Sequence, residues 1–212
     1  PKPSSAASDV YKRQGRVEVL EKIFPDMSLG DSLKPVLTLS YDVESRRPVI
    51  LSSYNTPDFS LVDACSASSA APIYFPTYQS EDNRWFIDGG VVTNNPTLVS
   101  LTEAQKYYKN HEIRVLSIGT GINTRKIPGK KSSQWGGLGW LRHDIMGIML
   151  ETQIEHRIAK DLLLDKYLRI NSPLGNVNRR LDDDSQVNIS RIKDLGSKWW
   201  DKFGSNLIDF LS

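Results

Sequence analysis

The sequence predicts a mixed α/β fold with a mainly parallel sheet. Three observations carry that expectation. Between Trp85 and Gly121 the order is an apolar strand, an Asp-Gly-Gly turn, a helix with apolar residues at helical spacing, and a strand that ends in glycine. Strand, helix and strand in close succession are the pattern of a right-handed parallel βαβ unit. Two β-compatible runs, Pro35 to Val43 and Pro48 to Ser52, come before it, and helical patterns dominate after about residue 126.

Composition narrows the class. A chain of 212 residues with 39% hydrophobic and 25% charged residues can bury a core of its own. A net charge of +2 is too small to argue for nucleic acid. No run approaches the roughly 20 apolar residues of a membrane span. Cys65 is the single cysteine, which excludes an internal disulfide and suits a reducing, cytoplasmic compartment. Its small neighbours, Ala64, Ser66 and Ala67, suggest a packed thiol rather than a nucleophile. His111, His143 and His156 are far apart and form no metal-ligand spacing, so neither a metal nor another cofactor is expected.

Residues 1–14 are polar and without period, and are read as a non-native leader. A short helix from Val17 to Phe24 ends at Pro25. The runs Pro35 to Val43 and Pro48 to Ser52, with a turn at Arg46-Arg47, read as a hairpin or as adjacent strands. Leu61 to Ala71 is helical: Ser60 caps it, and Asp63 lies in the first turn, where a carboxylate is favoured. Ala64 to Ala71 are all small, so the backbone can approach a neighbour closely. Ile73 to Phe75 reads as an extended apolar segment and Gln79 to Arg84 as a polar loop.

Trp85 to Ile87 is a short strand that delivers Asp88. Asn95 as N-cap and Pro96 in the first turn start a helix that reaches Tyr108. Glu112 to Ile118 is a strand, followed by a loop with Arg125, Lys126, Lys130 and Lys131. A helix is expected from about Asp144 to Asp165, with Ile145, Ile148, Met149, Thr152, His156 and Ala159 on one face. Tyr167 to Ile170 is a last strand. Asp182 to Asp184 form a solvated turn, and a terminal helix from Asn188 or Ser190 carries Ile192, Leu195, Trp199, Phe203, Leu207 and Phe210.

Asp88-Gly89-Gly90 is the stretch that carries chemistry. It places a carboxylate at the end of a strand, where open α/β sheets put their sites. Gly89 and Gly90 allow left-handed backbone angles and close approach. An isolated Asp-Gly-Gly most simply caps a turn, so the weight falls on what surrounds it.

Several pieces in order resemble the second half of a patatin-like phospholipase domain. They are Leu51-Ser52-Ser53-Tyr54, Ala67 through Pro76, Ile87-Asp88-Gly89-Gly90 with Asn94-Asn95-Pro96, and Leu116-Ser117-Ile118-Gly119-Thr120-Gly121. Tyr167 to Asn171, the turn at Leu181 to Asp183 and Trp199-Trp200 resemble the tail of longer members. The resemblance covers roughly residues 26 to 203.

It implies a partial patatin-like three-layer fold: residues 15–125 as the C-terminal part of the domain and 126–212 as a helical C-terminal extension packing on it. It further implies a lipid acyl hydrolase with a serine–aspartate dyad. Asp88 of the Asp-Gly-Gly motif would be the proton acceptor, and a lipid or other acyl ester the substrate. The family's serine sits in a G-x-S-x-G elbow, and no such motif occurs in this sequence; nor does a glycine-rich oxyanion loop precede Asp88. The expectation is therefore a chain that is the C-terminal part of a longer protein, carrying no nucleophile and inactive alone. Ser66, Ser68 and Ser69 read as packing residues of a small-residue helix.

Other readings stay open: a catalytically inactive lipid- or protein-binding module, and a phosphate-binding turn at Gly119-Thr120-Gly121. Two aromatic clusters, Trp135, Trp140, Leu141 and Met146, and Trp199, Trp200, Phe203 and Phe210, fit either core packing or peripheral contact with a membrane.

Overall fold

A computed structural model describes residues 15–142, 147–148, 154–180 and 182–212. The expected leader lies outside the described residues. The chain divides into two compact units, one ending at Asn94 and the other beginning at Asn95.

The first unit holds α1 (15–23), β1 (Leu37–Asp42), β2 (Arg47–Ser52), α2 (Leu61–Ser68), β3 (Tyr78–Gln79) and β4 (Trp85–Asp88). Its four strands form one antiparallel sheet in the order β2-β1-β4-β3. This corrects the expectation of a mainly parallel sheet. The β1–β2 connection is a tight turn in which Asp42 Oδ1 accepts the N–H groups of Glu44 and Ser45, each at 3.0 Å, and Arg46 takes φ +53°. So short a turn reverses the chain and permits only antiparallel pairing.

Residues directly opposed in an antiparallel ladder share a face. Leu51 opposes Thr38, Phe86 opposes Asp42, and Asp88 opposes Ser40. On that face lies α2, whose Ala64 and Ala67 are fully buried with Leu29, Leu51 and Phe86. Small side chains let the helix come close to the strands, as the sequence predicts. Ser60 caps α2 by accepting the Asp63 N–H at 3.4 Å. Asp63 does more than complement the helix dipole. It is buried and accepts from the Tyr78 hydroxyl and, at 3.0 Å, from the Glu81 N–H, tying α2 to β3.

Two local expectations fail. Ile73 to Phe75 is a turn: Ile73 has φ +78°, and the N–H groups of Tyr74 and Phe75 both donate to Ala71 O, at 3.2 and 2.9 Å. These bonds close a tight turn on the Ala71 carbonyl, three residues beyond the end of α2. Tyr78–Gln79, at the edge of the expected polar loop, forms an edge strand on β4.

The second unit holds α3 (Thr97–Tyr107), β5 (Val115–Ile118), α4 (Gly129–Ser132), α5 (Gly137–Arg142), α6 (Ile154–Leu163), β6 (Tyr167–Ile170) and α7 (Gln186–Leu211). β5 and β6 are parallel, with Val115 opposite Tyr167 and Ile118 opposite Ile170. The parallel unit expected of β4, α3 and β5 is thus built differently: β4 pairs with β1 and β3, and β5 with β6. Four-residue apolar strands carry little information about their partner.

α6 packs on α3 and β6, and α7 packs on β6, around buried Leu101, Ala159, Tyr167 and Ile170. His156 Nδ1 lies 3.0 Å from the Tyr167 hydroxyl. Of the face expected on the long helix, Ile145, Met149 and Thr152 lie outside the described residues. α7 starts earlier than expected because Ser185 caps it, accepting the Asn188 N–H at 3.3 Å. The Trp199 indole donates to Ser172 Oγ at 2.7 Å, and the Arg114 guanidinium stands 4.6 Å from the Phe210 ring centroid.

Candidate functional site

Asp88 ends β4. Its N–H donates to Ala70 O at 3.0 Å, just past α2, and it opens a single 3-10 turn over Gly89–Val91. Its Oδ1 accepts the Gly90 N–H at 2.7 Å. The carboxylate is half-buried, and burial holds its pKa above the ordinary carboxylate range. The Gly90 N–H and the Arg16 charge pull the other way without cancelling the burial.

Of the two properties expected of the glycines, Gly89 has the close approach, and neither has the left-handed angle. Among the described residues the positive-φ glycines are Gly121 and Gly175, so Gly89 and Gly90 take no left-handed angle. Gly89 is required by close approach: a Cβ there would stand 2.5 Å from the Leu39 carbonyl oxygen and 2.6 Å from Leu39 Cβ. The neighbour that approaches is β1. Gly90 is roomier; a Cβ would meet Asp88 Oδ1 at 3.1 Å.

Arg16 is part of the surroundings that the sequence reading missed. From α1 it donates to Ser69 O at 2.6 Å and to Ser66 O at 3.2 Å, and its guanidinium stands 4.4 Å from the Phe75 ring centroid. The chain just past α2 thus receives Arg16 through Ser69 and the Asp88 backbone through Ala70. A lone arginine in a polar helix has no sequence signature, so no local signal could have found it.

Of the three serines read as packing residues, Ser66 is fully buried, Ser68 is half-buried, and Ser69 is the exposed C-cap of α2. Ser69 Oγ donates to Cys65 O at 2.6 Å. Burial raises the Cys65 pKa, which disfavours its thiolate.

Asn95 lies one residue before the N-cap position of α3, which Pro96 takes. Asn95 Oδ1 still accepts the Thr97 N–H at 3.3 Å and the Thr97 hydroxyl at 2.6 Å. The Thr97 hydroxyl is 2.9 Å from Ser117 Oγ, to which Arg169 Nη1 donates at 2.6 Å. This buried polar chain ties the start of α3 to β5 and β6.

Gly119 and Gly121 have a packing explanation. A Cβ on Gly119 would lie 2.5 Å from Asn171 Nδ2; Gly121 has φ +106° and is closed off by Leu174. Gly119 N–H donates to Ile170 O at 2.9 Å and Gly121 N–H to Asn171 Oδ1 at 2.9 Å. No helix begins at this turn. With two of its amides already bonded, it is poorly suited to cradle a phosphate.

The family model for patatin-like phospholipase matches residues 6–101, which include Asp88, both glycines and the small-residue helix. Patatin-like protein 1 of Arabidopsis thaliana is 29% identical over 92% of this chain. The chain is thus similar to patatin-like proteins over most of its length. The match begins inside the stretch expected to be a leader. Patatin-2-Kuras 4 of Solanum tuberosum is 26% identical over 91% of this chain, and Patatin-like protein 3 of Arabidopsis thaliana is 32% identical over 58% of it. The chain spans 57%, 61% and 36% of these three relatives respectively. The solved structure of VipD from Legionella pneumophila aligns at a TM-score of 0.32 and 12% identity over 80% of this chain and 31% of that one, a likeness too low to establish a shared fold.

Proposed function

We propose that this chain supplies the aspartate of a serine–aspartate lipid acyl hydrolase. The observation that carries the reading is Asp88 itself: a half-buried carboxylate at a strand end, raised in pKa by burial and held by the Gly90 N–H. A carboxylate that is partly desolvated is a stronger base than one in water. As a serine hydroxyl attacks the ester carbonyl, its proton passes to Asp88 and the carbonyl becomes an oxyanion. Backbone amides stabilise that charge. Collapse expels the alcohol, which takes the proton back from Asp88. Water then attacks the acyl-serine, again losing a proton to Asp88, and collapse releases the carboxylic acid while the serine oxygen takes that proton back.

The serine elbow and the oxyanion amides belong, in this reading, to a part of the complete protein outside this sequence. Two facts support that placement: no G-x-S-x-G occurs here, and the chain spans 57% of Patatin-like protein 1. Residues 15–125 would then be the C-terminal part of the domain, completed into three layers by that part, and 126–212 a helical extension.

Purified as these 212 residues, the chain is expected to show neither fluorophosphonate labelling nor hydrolysis of a short-chain nitrophenyl ester. The complete protein is expected to show both. Asp88-dependent hydrolysis by the chain alone would overturn the placement of the nucleophile. No labelling of the complete protein would replace the hydrolase with an inactive lipid- or protein-binding module.

The same reading puts the protein in the cytoplasm, where Cys65 remains a thiol, with peripheral contact at a membrane. No helix among the described residues is long and apolar enough to cross one. Trp199, Phe203 and Phe210 are half-buried, but on α7 Trp200, Ile208 and Leu211 are 60%, 58% and 65% exposed. Their spacing puts them on one side of the helix. Co-sedimentation with phosphatidylcholine–phosphatidylglycerol vesicles is expected to fall when Trp200 and Ile208 are both replaced by serine. Equal sedimentation of the variant and the parent would remove the membrane contact.

A further inference from the structure

Ser40 lies inside β1, fully buried, and its hydroxyl has no hydrogen-bond partner among the described residues. A buried polar group left unpaired costs about 1–3 kcal/mol. Such a cost calls for a reason at that position. The strand register supplies one: Ser40 stands directly opposite Asp88 in the β1–β4 ladder. Opposed residues project to one face with Cβ atoms about 4.5–5.5 Å apart. A serine hydroxyl and a carboxylate can bridge that gap with one hydrogen bond through side-chain rotation alone.

The carboxylate has an oxygen to receive it. Asp88 Oδ1 accepts the Gly90 N–H, which leaves Oδ2. We propose that Ser40 is a positioning residue whose hydroxyl donates to Oδ2 of charged Asp88, so that the carboxylate is held at both oxygens. Thr38 shares the face and also has a buried, unpartnered hydroxyl, but it opposes Leu51. The serine thus meets the carboxylate and the threonine meets a leucine. The catalytic meaning of this contact rests on the hydrolase reading; the contact itself does not.

The charged groups around the pair are accounted for. Arg16, from α1, acts on Asp88 through its charge while bonded to Ser66 O and Ser69 O. Asp63, on α2, is bonded to Tyr78 and Glu81. Asp42, on the same face of β1, is bonded to the amides of Glu44 and Ser45. None of these arrangements changes when Ser40 loses its hydroxyl.

A donor to the charged form lowers a carboxyl pKa, so its removal raises it. The test is a carbon-13 carboxyl titration of Asp88 by NMR in the 212-residue chain. Ser40→Ala and Ser40→Cys are each expected to shift the Asp88 midpoint upward, and Ser40→Thr, which keeps a hydroxyl, to leave it near that of the parent. Cysteine nearly preserves the side-chain volume, so a shift shared by Ala and Cys reports the donor rather than a cavity. A parent-like amide spectrum establishes that each variant folds. Unmoved midpoints in both Ala and Cys would overturn the proposal.

In the complete protein, Ser40→Ala is expected to lower kcat about tenfold with KM unchanged, the effect of losing one hydrogen bond to a charged group. The titration needs no nucleophile, which separates the two readings. An upward shift without hydrolysis by the complete protein would leave the Ser40–Asp88 contact standing and remove the hydrolase. Unmoved midpoints with Asp88-dependent hydrolysis would do the reverse.

Discussion

Asp88→Asn is expected to lower ester hydrolysis by the complete protein by about 10²- to 10⁴-fold, the range for loss of a general base. Asparagine keeps the shape and can still accept the Gly90 N–H, so KM should change little and the loss should fall on kcat. An unchanged kcat would remove Asp88 from the chemistry. The same substitution has a stability signature of opposite sign. Burial raises the folded-state pKa of Asp88 above the ordinary carboxylate value, so the native state binds this proton more tightly than the unfolded chain does. Its contribution to stability is therefore full below the unfolded pKa and is lost as pH rises through the folded one. At neutral pH the native protein holds a charge that its surroundings disfavour. Asp88→Asn should thus raise Tm at pH 7, and the gain should shrink as pH falls to 4. Calorimetry at the two pH values checks it; a lower Tm at pH 7 would mean that the Gly90 hydrogen bond and the Arg16 charge outweigh burial.

Gly89→Ala is expected to destabilise the first unit by about 3 kcal/mol, the upper end of the usual cost of overpacking. The obstacle is backbone, not a side chain that can rotate away: the new Cβ would lie 2.5 Å from the Leu39 carbonyl oxygen. β1 has little freedom to retreat, because it is bonded to β2 on one side and β4 on the other. Gly90→Ala is the internal control. Its nearest obstacle, Asp88 Oδ1 at 3.1 Å, belongs to a side chain that can move. Gly90→Ala should therefore cost less stability while displacing the carboxylate. Urea midpoints of the two variants separate these effects, and equal midpoints for Gly89→Ala and the parent would contradict the close approach.

Much of the local structure was legible in the sequence. β1 and β2, α2 with its Ser60 cap, β4, α3 and β6 all lie within a few residues of where side-chain pattern, prolines and capping residues put them. These signals act over short distances along the chain, so one sequence suffices to see them. The edge strand Tyr78–Gln79 was not legible, because two residues carry no period. What approaches Gly89 and Gly119 was not legible either. Their neighbours, Leu39 and Asn171, are about 50 residues away along the chain, and both glycines avoid a clash rather than supply an unusual angle.

By itself the sequence determined where most elements lie to within a few residues, and that a carboxylate on a glycine turn follows a short strand. Only the tertiary structure decided which strands pair and in which direction: an antiparallel sheet in the first unit, and a parallel pair, β5 and β6, in the second. It also decided what Asp88 is chemically. Its raised pKa comes from desolvation by burial, and in the β1–β4 ladder it stands opposite a buried serine of another strand. Desolvation and cross-strand register both depend on segments far apart in the chain, so a motif of three residues cannot specify either.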